Sequence, residues 1–112
     1  MFKCCCQCWG ENFQGDKGTY VSILNETEFL ISFIMQYCVN SRTFTKQSPP
    51  FGPGQSEKLS FSTHAKNICF NVFNNSTNPP TLLFNVVLPY TMKFCYKLIQ
   101  TPNGPQLIEF YC

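Results

Sequence analysis

Apolar side chains recur at every second position through much of this chain, in short runs broken by Gly, Pro, Asn and Ser. Residues 92–112 show it best. Phe94, Tyr96 and Leu98 alternate with Lys93, Cys95 and Lys97, the period-2 pattern of a strand with one buried and one wetted face. A second apolar run, QLIEFYC, follows after TPNGP. Asn103-Gly104 sits where a positive φ is wanted, and the flanking prolines cannot extend a ladder. The two runs are therefore expected to form a hairpin that turns within residues 101–105.

The alternation extends upstream. Tyr20, Ser22 and Leu24 against Val21, Ile23 and Asn25 predict a first strand, with Asn25-Glu26-Thr27 as its turn. Residues 28–39 put Phe29, Ile31, Phe33, Met35 and Tyr37 on one strand face, although Thr27 could cap a helix of that length. Strand neighbours and aromatic content favour the strand. Residues 42–46 read as a short edge strand, and 58–63 and 67–74 as further strands. Residues 81–88 carry Leu82, Phe84, Val86 and Leu88 on one side and Leu83 and Val87 on the other, which predicts a central strand covered on both faces. Loops 47–56 (QSPPFGPGQS) and 74–80 (NNSTNPP) hold prolines and glycines that suit neither a helix nor a central strand.

About seven or eight strands, with turn signals roughly every 8 to 12 residues, predict an all-β domain: an antiparallel β-sandwich, or a small barrel, over residues 19–112. Residues 1–18 have no sustained period and read as an irregular, Cys-rich tail. The run Val21-x-Ile23-x-Asn25, an apolar strand, and then Pro53-Gly54-Gln55-Ser56 before Leu59-x-Phe61 resembles several secreted or membrane-active β-sandwich families. Among these are the aegerolysins, the plant self-incompatibility-like proteins and the major sperm protein domains. The resemblance covers under half the chain and assigns no residue a role.

Composition narrows the function. Charged residues are only 12% of the 112, about half the usual share, which favours a packed domain over disorder. The net charge is +2 and its lysines are scattered, so there is no basic stripe for nucleic acid. The apolar runs 29–35 and 82–88 are far short of the roughly 20 residues of a spanning helix. Met1 runs into cysteines without an apolar leader, which makes the cytoplasm the default compartment, with peripheral membrane attachment as an option. Secretion is the alternative if Met1 follows a removed leader.

Eight cysteines are many for a cytosolic protein and even in number, as a disulfide framework would be. Cys4, Cys5, Cys6 and Cys8 crowd the tail beside Phe2, Lys3 and Trp9, and four readings of them stay open. They are lipidation sites at an apolar, basic patch, partners in disulfides with the domain, soft-metal ligands, or functionless. Structural zinc sites pair two well-separated cysteine doublets, so no metal is assigned. Cys38, Cys69, Cys95 and Cys112 suit buried, small apolar positions. Cys95, on the lysine side of its strand, is the candidate reactive thiol, because Lys93 and Lys97 favour its thiolate.

Nothing points to catalysis. His64 is the single histidine and Asp16 the single aspartate, and no Gly-rich phosphate loop opens a helix. No enzyme and no cofactor are expected. Asn25-Glu26-Thr27, Asn74-Asn75-Ser76 and Asn75-Ser76-Thr77 fit the N-glycosylation triplet, which matters only in a secreted protein. The expected function is a non-enzymatic binding module that meets a protein, lipid or glycan surface through its loops, with Phe51 and Asn75 as contact residues. A secreted, disulfide-stapled effector or defence-type protein is the alternative, and thiol or metal handling a third.

Overall fold

The structure, a computed structural model, describes residues 19–112. Cys4, Cys5, Cys6 and Cys8, the candidate lipidation or disulfide sites, lie outside the described residues. Eight strands follow one another with no helix among the described residues: β1 (Tyr20–Glu26), β2 (Ile31–Val39), β3 (Arg42–Gln47), β4 (Ser56–Ser60), β5 (Lys66–Asn74), β6 (Thr81–Val87), β7 (Lys93–Thr101) and β8 (Gly104–Phe110). They form two four-stranded sheets, sheet A in the order β4-β1-β7-β8 and sheet B in the order β3-β2-β5-β6. All pairings are antiparallel except β1 with β7. This is the expected β-sandwich, and segment 28–39 is a strand rather than a helix.

The period-2 faces meet between the sheets. Val21, Ile23, Phe94, Tyr96 and Leu98 of sheet A pack against Ile31, Phe33, Met35, Tyr37, Ile68, Phe70 and Val72 of sheet B. Aromatic rings fill much of that space. Phe70 lies 5.4 Å from Tyr96 across the sheets, and Phe33 meets Phe70 and Phe51 edge-to-face at 6.1 and 6.3 Å. Such tilted contacts add a little to the large area each ring buries.

Three sequence expectations are corrected. The hairpin turn is tighter than residues 101–105, since Thr101 pairs with Gly104. Two residues suffice because Gly104 takes φ +109, while the Thr101 Oγ1 accepts from the Asn103 N–H and donates to the Gly104 carbonyl.

The segment expected as a central strand, β6, is the edge of sheet B, with Val87 71% exposed. The register between β5 and β6 shifts at Val72/Phe73 and leaves Leu83 without a partner in the ladder. That irregularity turns both Leu83 and Phe84 toward the core, and two neighbouring apolar residues on one face imitate a strand buried on both.

Phe51 is the third. Expected at the tip of an exposed loop, it is 2% exposed and belongs to the core. Its N–H donates to the Ile31 carbonyl at 2.8 Å and its carbonyl accepts from the Ile31 N–H at 3.0 Å, so residues 47–56 fold back beside β2. Ser48 fixes the approach, pairing with Phe33 through both its backbone N–H and its Oγ.

Candidate surface-binding site

One end of sheet A carries apolar surface that the core does not use. The chain enters β7 through Tyr90 and Met92, and leaves β8 through Phe110 and Tyr111. Tyr90, Met92, Ile108, Phe110 and Tyr111 are all exposed, Tyr111 almost fully at 97%. The cause is local. β8 is an edge strand in which Leu107 packs against the core, so Ile108 and Phe110, at the alternate positions, point away from it.

Cys112 then turns back onto β7 and closes a disulfide with Cys95, with a Cα–Cα distance of 5.3 Å. Around that bridge Met92, Lys93, Glu109, Phe110, Tyr111 and Cys112 line an open hollow of about 490 Å³. Lys97 lies over the Phe110 ring at 5.5 Å, and Tyr90 stands 6.0 Å from the buried Phe94. The site is thus a mostly apolar, aromatic end flanked by two lysines and one carboxylate.

On the inner side of the hairpin, Tyr96 pairs with Glu109. Burial, and then the negative charge of Glu109, push the Tyr96 hydroxyl up to about 12, so it stays protonated at any ordinary pH. It serves as a neutral packing element against Phe70 and Phe94, and offers no acid–base chemistry.

The residues singled out by sequence fall differently. Cys95 is on the lysine face, as its period requires, but it is bonded to Cys112 and buried. It therefore presents no thiol, contrary to the expected reactive one. Cys38 and Cys69 are also disulfide-bonded. Asn75 is half-buried and tied to the start of β2: its N–H donates to the Leu30 carbonyl, and its Oδ1 accepts from the Ser32 Oγ at 2.8 Å. Phe51 and Asn75 therefore grip neighbouring residues of β2 rather than forming one contact patch.

Asn25 is fully buried, which removes the first glycosylation triplet from the surface of the folded domain. No group of three or more His, Cys, Asp or Glu among the described residues is placed to hold a metal ion. The apolar end was missed at the sequence level, although QLIEFY shows apolar residues on both faces of one strand.

The sequence matches no protein-family model and no curated protein. Several solved structures are similar in fold. Suilysin from Streptococcus suis, described as a cytotoxin, matches with a TM-score of 0.59 at 9% identity, over 84% of this chain and 23% of its own. Listeriolysin O matches with a TM-score of 0.59 at 11% identity, over 83% of this chain and 22% of its own. The chain spans about a quarter of the length of such toxins. The membrane-binding domain of pneumolysin is matched over 96% of its length and 83% of this chain, with a TM-score of 0.58 at 7% identity. At these identities the likeness is one of fold.

Proposed function

We propose that this domain is a non-enzymatic module that docks on a lipid surface through the aromatic end of sheet A. The observation that carries the reading is the exposed trio Met92, Phe110 and Tyr111 around one open hollow beside Lys93, with Lys97 over the Phe110 ring and with Tyr90 and Ile108 also exposed. Tyrosine suits the boundary between headgroups and acyl chains, since its ring is apolar and its hydroxyl stays wet. Lysines beside it reach anionic headgroups while their stems lie on apolar surface. The likeness in fold to the membrane-binding domain of pneumolysin supports the same direction.

The disulfides favour an oxidising compartment, so secretion fits this reading better than the cytoplasm. No helix among the described residues is long and apolar enough to cross a membrane. Docking is accordingly proposed through the strand ends.

The test is flotation with phosphatidylcholine vesicles, with and without phosphatidylserine. The protein is expected to float with the vesicles, more strongly with phosphatidylserine. Tyr111→Ser and Phe110→Ser should each weaken binding by about tenfold, as losing roughly 1.5 kcal/mol of buried apolar contact implies. Lys93→Glu with Lys97→Glu should remove only the phosphatidylserine increment. A protein that stays at the bottom of the gradient, or variants that float like the parent, would refute the proposal.

A further inference from the structure

Three Asn-x-Ser/Thr triplets begin at Asn25, Asn74 and Asn75, and the fold treats their side-chain amides differently. Asn25 is fully buried, and its Nδ2 donates to the carbonyls of both Phe29 and Phe51. A glycan on that nitrogen would break one of these bonds in a dry site. Asn74 is 9% exposed, and it follows Phe70 and Val72 on the core-facing side of β5. Asn75 lies just past the end of β5 and is half-buried.

The two ends of the Asn75 amide are in different surroundings. Oδ1 accepts from the Ser32 Oγ at 2.8 Å, and the backbone N–H donates to the Leu30 carbonyl. Nδ2 makes no hydrogen bond among the described residues. Yet no buried side-chain nitrogen or oxygen lacks a partner, so Nδ2 faces solvent. Beside Asn75, an open hollow of about 200 Å³ is lined by Ser32, Gln47, Phe73, Pro79 and Pro80 among others. Such a mix of apolar rings and polar edges suits the C–H faces and hydroxyls of a sugar ring.

We propose that Asn75 carries an N-linked glycan, with the hollow giving room to its first sugar. The Nδ2–C1 bond forms as the bond from C1 to a lipid-linked pyrophosphate oligosaccharide breaks. The nitrogen gives up one proton, and the lipid pyrophosphate leaves with the electron pair. Oδ1 still accepts from Ser32, so the linkage spares the bonds that the fold uses.

The position is compatible with lipid docking. β1 and β7 run parallel, with Tyr20 beside Lys93 at one end and Glu26 beside Ile99 at the other. Tyr90 and Met92 precede Lys93, whereas Asn75 is bonded to Leu30, shortly after Glu26. The seven residues of β1 therefore hold the glycan roughly 20 Å from the aromatic end. The proposal rests on the secreted reading, because a cytoplasmic chain does not meet the sugar donor.

The full chain, directed into the secretory pathway of eukaryotic cells behind a cleavable leader, tests it. After reduction and trypsin, Asn25 falls on fragment 18–42, and Asn74 and Asn75 on 67–93. Peptide N-glycosidase in heavy-oxygen water turns the glycosylated asparagine into a labelled aspartate, which fragmentation locates. The label is expected at residue 75 alone. Thr77→Ala breaks the Asn75 triplet, keeps that of Asn74, and should abolish the label. Ser76→Ala does the reverse and should keep it, as should Thr77→Ser. An unlabelled parent, or a label at residue 25 or 74, would overturn the proposal. Because the leader supplies the compartment, that result would count against Asn75 and not against secretion.

Discussion

The Asn25 side chain donates from Nδ2 to the Phe51 carbonyl at 3.1 Å, joining the end of β1 to the fold-back that runs beside β2. The same nitrogen donates to the Phe29 carbonyl at 2.8 Å, and Oδ1 accepts from the Thr27 N–H and the Thr27 hydroxyl. The Asn25 backbone adds two more bonds to this loop, one to the Gln55 carbonyl and one from the Gly54 N–H. A single buried amide thus satisfies both a turn and a Pro-rich loop. Asn25→Ala takes the partner from the Phe29 carbonyl and from the Thr27 N–H and hydroxyl, while the Phe51 carbonyl keeps the Ile31 N–H, so a loss of about 2–4 kcal/mol is expected in urea unfolding. A loss below ~1 kcal/mol would mean that water takes over these bonds.

Phe51 belongs to that frame, and its replacement separates core from contact. Phe51→Ala removes a ring packed edge-to-face on Phe33 and should cost about 3–5 kcal/mol of stability. Vesicle binding by the folded fraction should not change, because Phe51 lies outside the aromatic end of sheet A. Weakened binding with unchanged stability would restore it as a contact residue.

The faces of this fold were legible because the strand period is 2 and the core lies on one side. Phe94, Tyr96 and Leu98 were readable as buried from their lysine neighbours alone. The sheet order was not, because the parallel pairing of β1 with β7 joins segments with most of the chain between them and leaves no local mark. β6 misled because its register irregularity breaks the period. Phe51 misled because proline and glycine report on backbone freedom, not on where the side chain between them goes. Even parity hinted at disulfides among the cysteines, but which thiol meets which depends on the fold. The end formed by Ile108, Phe110 and Tyr111 was present in plain sequence, and needed only the knowledge that β8 is an edge.

The Cys95–Cys112 bridge spans 17 residues of a hairpin. Closing a loop of that size restricts the unfolded chain by about 3 kcal/mol. Cys112→Ser should therefore lower stability by about 2–3 kcal/mol in chemical denaturation. It should also release Tyr111 from β7 and open the hollow that the bridge borders, so vesicle binding should fall as well. A stability loss with full retention of binding would show that the bridge acts on the fold alone.

Tyr96 gives the domain an alkaline limit. Its hydroxyl has an ordinary value of 10.0 and is pushed up to about 12 in the fold, by burial first and by Glu109 second. The folded state therefore holds the proton more tightly than the unfolded one. Below about pH 10 both states are protonated and the contribution is constant. Between about 10 and 12 the unfolded chain ionises first, so stability falls as pH rises. The denaturation midpoint should be insensitive to this group at neutral pH and decline above about 10, with Tyr96→Phe flattening the decline. Glu109→Gln should lower the Tyr96 titration point, because it removes the carboxylate charge while leaving burial in place. Ultraviolet titration of the phenolate absorbance would follow both variants directly. A Tyr96 that ionises near 10 in the folded parent would contradict the buried position assigned to it.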